Sequence, residues 1–108
     1  MLAISAIGTQ YVQVPVYNTE GIDPTSDVVE FAFIGPFSTT PQAGDNPPTT
    51  NTVWTQGTWD AGTPYTARIL VGPNDGQIAL ATGSYQVYVQ IQDSPETPCL
   101  WSGPMVVY

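Results

Sequence analysis

Apolar and polar residues alternate with a period of two along much of this 108-residue chain. The clearest segment is 84–93, in which the two alternating sets are Tyr85, Val87, Val89 and Ile91 against Gln86, Tyr88, Gln90 and Gln92. This pattern predicts a long β-strand with one face buried in a core. No window keeps apolar residues at helical spacing, and Pro or Gly interrupts nearly every candidate, so we expect no helix.

The same alternation predicts the other strands, at Tyr11–Asn18, Asp27–Ile34, Val53–Trp59, Tyr65–Val71 and Leu100–Tyr108, with a short first strand at Leu2–Ile7. Turn-forming Gly, Pro and Asp residues separate these segments. The length fits one domain over residues 1–108. The sequence therefore predicts an all-β protein, a single immunoglobulin-like or fibronectin-like β-sandwich of about seven strands.

A local motif favours this sandwich. Leu80 and Gly83 precede Tyr85 where the long strand begins, as in a tyrosine corner, whose hydroxyl bonds to upstream backbone. Any strand that happens to begin with Tyr is the alternative interpretation. Trp54 or Trp59 is expected to be the central tryptophan of the core.

The segment Pro36–Thr52 differs in composition from the rest, with four Pro and five Thr in 17 residues. This composition favours an extended chain, and loops of this length are usually functional or disordered. We expect an arm that contacts other subunits, and the alternative is a loop lying on its own domain. The predicted contact residues are Pro36, Phe37, Pro41, Pro47 and Pro48, with Tyr88 on the outer face of its strand.

Charge excludes several classes of function. The chain has nine acids and one base, Arg68, and lacks Lys and His, for a net charge of −8. We expect no binding to nucleic acid or to an anionic membrane, since both need cations. Catalysis through His or Lys is impossible. Arg68 lies in the middle of a predicted strand and is expected to pair with an acid of its own fold. The alternative is a pair with a neighbouring subunit.

The other reactive groups point to no chemistry. Cys99 is the single cysteine, so no intrachain disulfide can form, and its apolar neighbours predict an inert core thiol. The acid pairs Asp23/Asp27 and Asp93/Glu96 lie in predicted loops and are expected to be solvated turn acids. The candidate calcium ligands are Asp60, or Asn74-Asp75-Gly76, or Glu20 with Asp23 and Asp27, and none has the spacing of a known calcium loop. Met1–Ile7 has no basic region, so we expect no signal peptide. We predict a protein that is not an enzyme and binds no cofactor or metal.

The lack of Lys points to interactions with other proteins. Exposed sheet edges usually carry Lys or inward-pointing charges that prevent unwanted pairing, and this chain has no Lys. We therefore expect other subunits to cover edges and outer faces of the sandwich.

The order of motifs along the chain resembles that of small structural proteins of tailed phages, especially phages that infect actinobacteria. The resemblance covers most of the chain and rests on Tyr11-Val-Gln-Val-Pro-Val16, Asp23-Pro-Thr-Ser-Asp27, Val29-Glu-Phe-Ala-Phe33, Trp54-x4-Trp59, Tyr65–Pro73, Leu80-x2-Gly83-x-Tyr85, Asp93–Pro98 and Gly103-x2-Val106. The segment 36–52 is an insertion relative to that pattern.

The resemblance implies an immunoglobulin-like virion protein, encoded among head and head–tail genes and assembled in the bacterial cytoplasm. Within the virion we expect a capsid decoration or minor capsid protein. Its partners would be the major capsid protein or other virion subunits, and possibly copies of itself. The alternatives are a head–tail connector or tail-associated protein and, in a different class, a carbohydrate-binding module for host attachment. That module would use exposed aromatic residues such as Tyr88 and Trp101.

Overall fold

A computed structural model describes residues 2–16, 26–42, 47–60, 65–73, 76–92 and 97–108. These residues form eight strands, which are β1 (Leu2–Ile4), β2 (Gln10–Val16), β3 (Val28–Phe37), β4 (Thr55–Gln56), β5 (Thr58–Asp60), β6 (Tyr65–Val71), β7 (Gly83–Gln92) and β8 (Cys99–Val107). The described part of the chain contains no helix. The predicted all-β class is confirmed, and β6 has the predicted bounds.

The strands form two sheets that pack as a β-sandwich. One sheet has five strands in the order β1-β8-β7-β3-β4, and the other has three in the order β2-β6-β5. Neighbouring strands are antiparallel except for β1, which pairs parallel to β8. Strands that meet through non-consecutive pairs, such as β2 with β6, tie distant parts of the sequence together.

The core lies between the sheets and follows the predicted alternation. Val12 and Val16 of β2 are buried, and Val14 packs against them from a partly buried position. The largest fully buried side chain is Phe31 on β3. From β7 the core receives Tyr85, Val87, Val89 and Ile91. On β2 and β7, the alternation in the sequence therefore predicted the side chains that face the core.

Gly57 explains why the predicted strand Val53–Trp59 is two strands. The chain pairs with β3 through β4 before Gly57 and with β6 through β5 after it, so it passes from one sheet to the other here. A Cβ at position 57 would lie 2.6 Å from the Arg68 carbonyl oxygen and 2.7 Å from the Phe31 ring. Only glycine fits this crossing.

The tyrosine-corner contact is present. The Tyr85 hydroxyl donates a hydrogen bond of 2.6 Å to the Ala81 carbonyl oxygen, and Leu80 packs against the core. Gly83 has a φ of +148°, and a Cβ there would lie 2.5 Å from Cβ of Pro36. The hydrogen bond from the Tyr85 hydroxyl to upstream backbone is thus the contact that the sequence predicted.

The prediction that Trp54 or Trp59 is the central tryptophan of the core is wrong. Trp54 and Trp59 are both only partly buried, while Phe31 fills the middle of the core. Trp59 packs at the edge of the core, and its Nε1 donates a hydrogen bond of 2.9 Å to the Asp27 carbonyl oxygen. The indole therefore keeps its polar atom satisfied near the surface, as amphipathic aromatic side chains usually do.

Candidate protein-binding surface

Part of the proline-rich segment contacts the five-stranded sheet of its own chain. Gln86 projects from the outer face of β7 and is fully buried. Its Nε2 donates a hydrogen bond of 2.6 Å to the Gln42 carbonyl oxygen, and its Oε1 accepts one of 2.7 Å from Trp101 Nε1. Pro41, next to Gln42, is also buried. This part of the segment covers the outer face of the five-stranded sheet.

Two predicted contact residues are therefore corrected. Pro41 is buried within the chain, and Tyr88 is only 6% exposed on the outer face of β7. Ala32, which faces Tyr88 across the β3–β7 pairing, is 1% exposed. Because the chain covers this face itself, neither Pro41 nor Tyr88 offers an accessible surface to another subunit.

The accessible predicted contacts lie around the end of β3. A groove of about 440 Å³ is lined by Pro36 and Phe37 together with Tyr108 and the start of β7. Tyr108 is 67% exposed. Its backbone is fixed, because its N–H donates to the Ile4 carbonyl oxygen at 3.0 Å and its own carbonyl accepts from Ala6 N–H at 2.7 Å.

A second groove has a volume of about 550 Å³, and its lining on β3 ends at Gly35, the residue before Pro36 of the first groove. Three of its lining residues, Phe33, Ile34 and Gly35, belong to β3. The others are Pro47, Thr49, Asn51, Thr52 and Val53. The Phe33 ring stacks on Phe31 at a centroid distance of 6.2 Å, which ties the groove floor to the core. Val53 stands at the rim with 80% of its surface exposed.

We name these two grooves together the β3-end surface. No lining residue of either groove is Asp, Glu, Lys or Arg. Of the predicted contacts, Pro36, Phe37 and Pro47 line it, and Pro48 is partly exposed without lining either groove. The sequence analysis did not predict Val53 as a contact residue. The one feature that could have indicated it is its position as an apolar residue directly after a Thr-rich stretch. Residues 43–46 of the predicted arm lie outside the described residues.

Arg68 stacks on an aromatic ring of the neighbouring strand. It lies on the outer face of β6, where its guanidinium carbon is 4.5 Å from the centroid of the Tyr11 ring, a cation–π distance. No described acid forms an ion pair with it, and its Nε is buried without a hydrogen-bond partner within the described residues. Among the acids that the structure describes, Asp27, Glu30 and Asp60, none forms the predicted own-fold pair, and the contact present is the stack on Tyr11.

Cys99 is exposed at the start of β8, so its predicted place in the core is wrong. Partial burial of the sulfur raises the pKa of its thiol, because the protein disfavours the charged thiolate. Within the described ranges, no group of three or more His, Cys, Asp or Glu residues could hold a metal ion. Of the predicted acid pairs, Asp23, Asp93 and Glu96 lie outside those ranges.

The exposed aromatic side chains are dispersed. In the part of the chain that the structure describes, those with more than two fifths of their surface exposed are Tyr11, Trp101 and Tyr108. Tyr11 is on the outer face of the three-stranded sheet and Trp101 on the outer face of the five-stranded sheet. The carbohydrate-binding alternative requires two or three exposed coplanar rings. Tyr88 and Trp101 do not form such a platform, because Tyr88 is buried.

No family model, curated protein or solved structure gives a significant match to this chain. No helix among the described residues is long and apolar enough to cross a membrane.

Proposed function

We propose that this protein is a non-enzymatic structural subunit of a phage virion, a decoration protein that binds the head shell. The observation that carries the proposal is the β3-end surface. It joins two uncharged grooves with the exposed side chains of Val53 and Tyr108, on a chain of net charge −8. Accessible apolar surface without charge is typical of the centre of a protein–protein interface.

The fold supports the same role. The strand order of the two sheets and the hydrogen bond from Tyr85 to Ala81 fit an immunoglobulin-like sandwich. The phage proteins that the sequence resembles are expected to have this fold. We infer an immunoglobulin-like domain whose loops and strand ends, rather than a catalytic cleft, perform the function.

Two groups of the β3-end surface already have a fixed conformation before a partner binds. Phe33 is stacked on the core residue Phe31, and the backbone of Tyr108 is held by Ile4 and Ala6. Little conformational entropy is lost when such fixed groups bind a partner. Docking would stabilise the shell by burying area between its subunits. A strongly acidic body suits the outside of a DNA-filled shell better than the inside.

Add-back to purified particles tests this function. Heads from a phage that lacks the gene are mixed with recombinant protein and sedimented, and the bound protein is quantified. We expect saturable binding of the wild type, at least a tenfold weaker affinity for Val53→Asp, and unchanged affinity for Ile7→Asp. Ile7 is a matched control because it is 88% exposed and lines neither groove. Wild type that stays in the supernatant, or equal effects of both variants, would overturn the proposal.

A further inference from the structure

We propose that Arg68 binds a carboxylate of a neighbouring subunit and is the charged anchor of a second contact surface, the outer face of the three-stranded sheet. The inference rests on the proposed function for the identity of the partner, a protein of the head shell, and it concerns a different surface from the β3-end surface. β6 is the middle strand of its sheet, and Arg68 is the middle residue of β6. Its neighbours across the two strand pairings are Gln13 on β2 and Thr58 on β5.

The guanidinium of Arg68 is held in place but is not neutralised. Its carbon lies 4.5 Å from the centroid of the Tyr11 ring on the neighbouring strand. Nε is the one nitrogen of this side chain that is buried without a partner, so the two terminal nitrogens, which bond to no described residue, are accessible to solvent. An arginine fixed by such a stack loses little freedom when it binds, and its terminal nitrogens match the two oxygens of a carboxylate.

Charge complementarity indicates a carboxylate as the group that Arg68 binds. Arg68 is the only basic side chain in a chain with nine acids. Asp60 is on the same face but lies opposite Thr66 and forms no ion pair with Arg68. A nucleic acid or an anionic membrane presents many negative charges together, and the nine acids repel them. A second copy of this chain, with net charge −8, is disfavoured for the same reason, whereas a single carboxylate on a neutral protein surface meets far less repulsion.

The surroundings of Arg68 suit the surface of another protein. Apart from Asp60, the other outward side chains of the three strands are uncharged, and they are Tyr11, Gln13, Pro15, Thr58, Thr66 and Leu70. The Tyr11 side chain is 42% exposed. Tyr and Arg are enriched among the residues that contribute most to interfaces, and a charge pair is stronger where neutral groups around it exclude water. We therefore expect a partner surface with one acid set among uncharged residues.

Add-back to heads that lack the gene product tests this contact when it is done at about 50 mM and about 500 mM NaCl. Arg68→Gln should bind about tenfold more weakly than the wild type at low salt, because it leaves the carboxylate of the partner unpaired. Arg68→Lys keeps the charge but not the planar guanidinium, so it should recover part of the affinity. The difference between wild type and Arg68→Gln should shrink at high salt.

Ile7→Asp is the matched control, because it changes the net charge by the same amount as Arg68→Gln and lies at an exposed position outside the three strands. It should bind like the wild type. The thermal melting of each variant is measured first, so that a loss of binding is compared only between folded proteins.

The outcomes separate this inference from the proposed function. Wild type that does not bind the heads would overturn both. Wild type that binds, with Arg68→Gln equal to Ile7→Asp, would overturn only the role of Arg68. Equal losses in Arg68→Lys and Arg68→Gln, or a loss that high salt does not reduce, would overturn the carboxylate as its partner. Self-association of the wild type that Arg68→Gln abolishes would assign the surface to a second copy and overturn the shell contact.

Discussion

Gln86 and Gln42 are 44 residues apart in sequence and are joined by a hydrogen bond of 2.6 Å from Nε2 of Gln86 to the Gln42 carbonyl oxygen. This bond attaches the start of the proline-rich segment to the sheet that it covers. The opposite side of the same amide accepts from Trp101 Nε1 at 2.7 Å, so one buried side chain holds both the segment and β8. Residues 41–42 are part of the folded domain and not of a free arm.

Gln86→Ala should therefore destabilise the protein by about 1–3 kcal/mol, because it leaves polar partners unsatisfied at a buried site. Urea denaturation gives the change, and hydrogen exchange at residues 38–42 should rise more than exchange in β6. The control is Gln92→Ala on the same strand, where the glutamine is exposed. A Gln86 variant as stable as this control would mean that the segment is not held by the amide.

Gly57→Ala should destabilise the fold by about 2 kcal/mol or more, because overpacking at a fixed site forces backbone to move. The added methyl would meet backbone of β6 and the Phe31 ring, neither of which is the free end of a flexible side chain. Gly8→Ala is the matched control, since its Cβ would have ordinary contacts of 3.6 Å or more. Equal melting temperatures of the two variants would contradict the described sheet crossing.

Tyr85→Phe should cost about 1 kcal/mol through loss of the bond to Ala81. It should also change the response to alkali. Burial raises the pKa of Tyr85, so the folded state keeps a proton that the unfolded state releases from about pH 10. Stability is then fully present below that pH and falls as the pH rises towards the folded pKa.

Denaturation curves at several pH values above 9 test this dependence. The wild type should lose stability with pH more steeply than Tyr85→Phe, and Tyr108→Phe, at an exposed position, should follow the wild type. Parallel pH profiles for wild type and Tyr85→Phe would show that the hydroxyl is not protected by burial.

Cys99 should react with a disulfide reagent such as DTNB more slowly than glutathione does at neutral pH, although its side chain is exposed. The raised pKa of the thiol reduces its thiolate fraction, and thiolate is the attacking species. Stopped-flow rates measured against pH should rise at a higher pH than those of glutathione, and unfolding in guanidinium should remove the difference. A folded protein that reacts as fast as glutathione would contradict the pKa direction.

The core could be predicted from the sequence because the alternation has a single physical cause. On β7, residues such as Val87 and Val89 must face the other sheet, so their period marks the strand and its inward face. Tyr85 could be placed as well, since Leu80 and Gly83 precede it at fixed spacing. These features depend on local sequence and do not require knowledge of distant contacts.

The outer face could not be predicted in the same way. Whether Tyr88 is exposed depends on chain that lies far away in sequence, around Pro41 and Gln42. The sheet crossing at Gly57 depends on contacts with Phe31 and with the Arg68 backbone, which no local pattern contains. The β3-end surface likewise combines β3, residues 47–53 and the chain end, so only some of its members could be named from composition.

The copy number of this chain in purified virus particles tests the proposed function most directly. Quantitative mass spectrometry against the major capsid protein gives the ratio. We predict many copies in a simple ratio to the shell protein. A ring-like count of about six to twelve would place the protein at the neck instead, because connector rings have cyclic symmetry. Absence of the chain from the particles would contradict the virion role altogether.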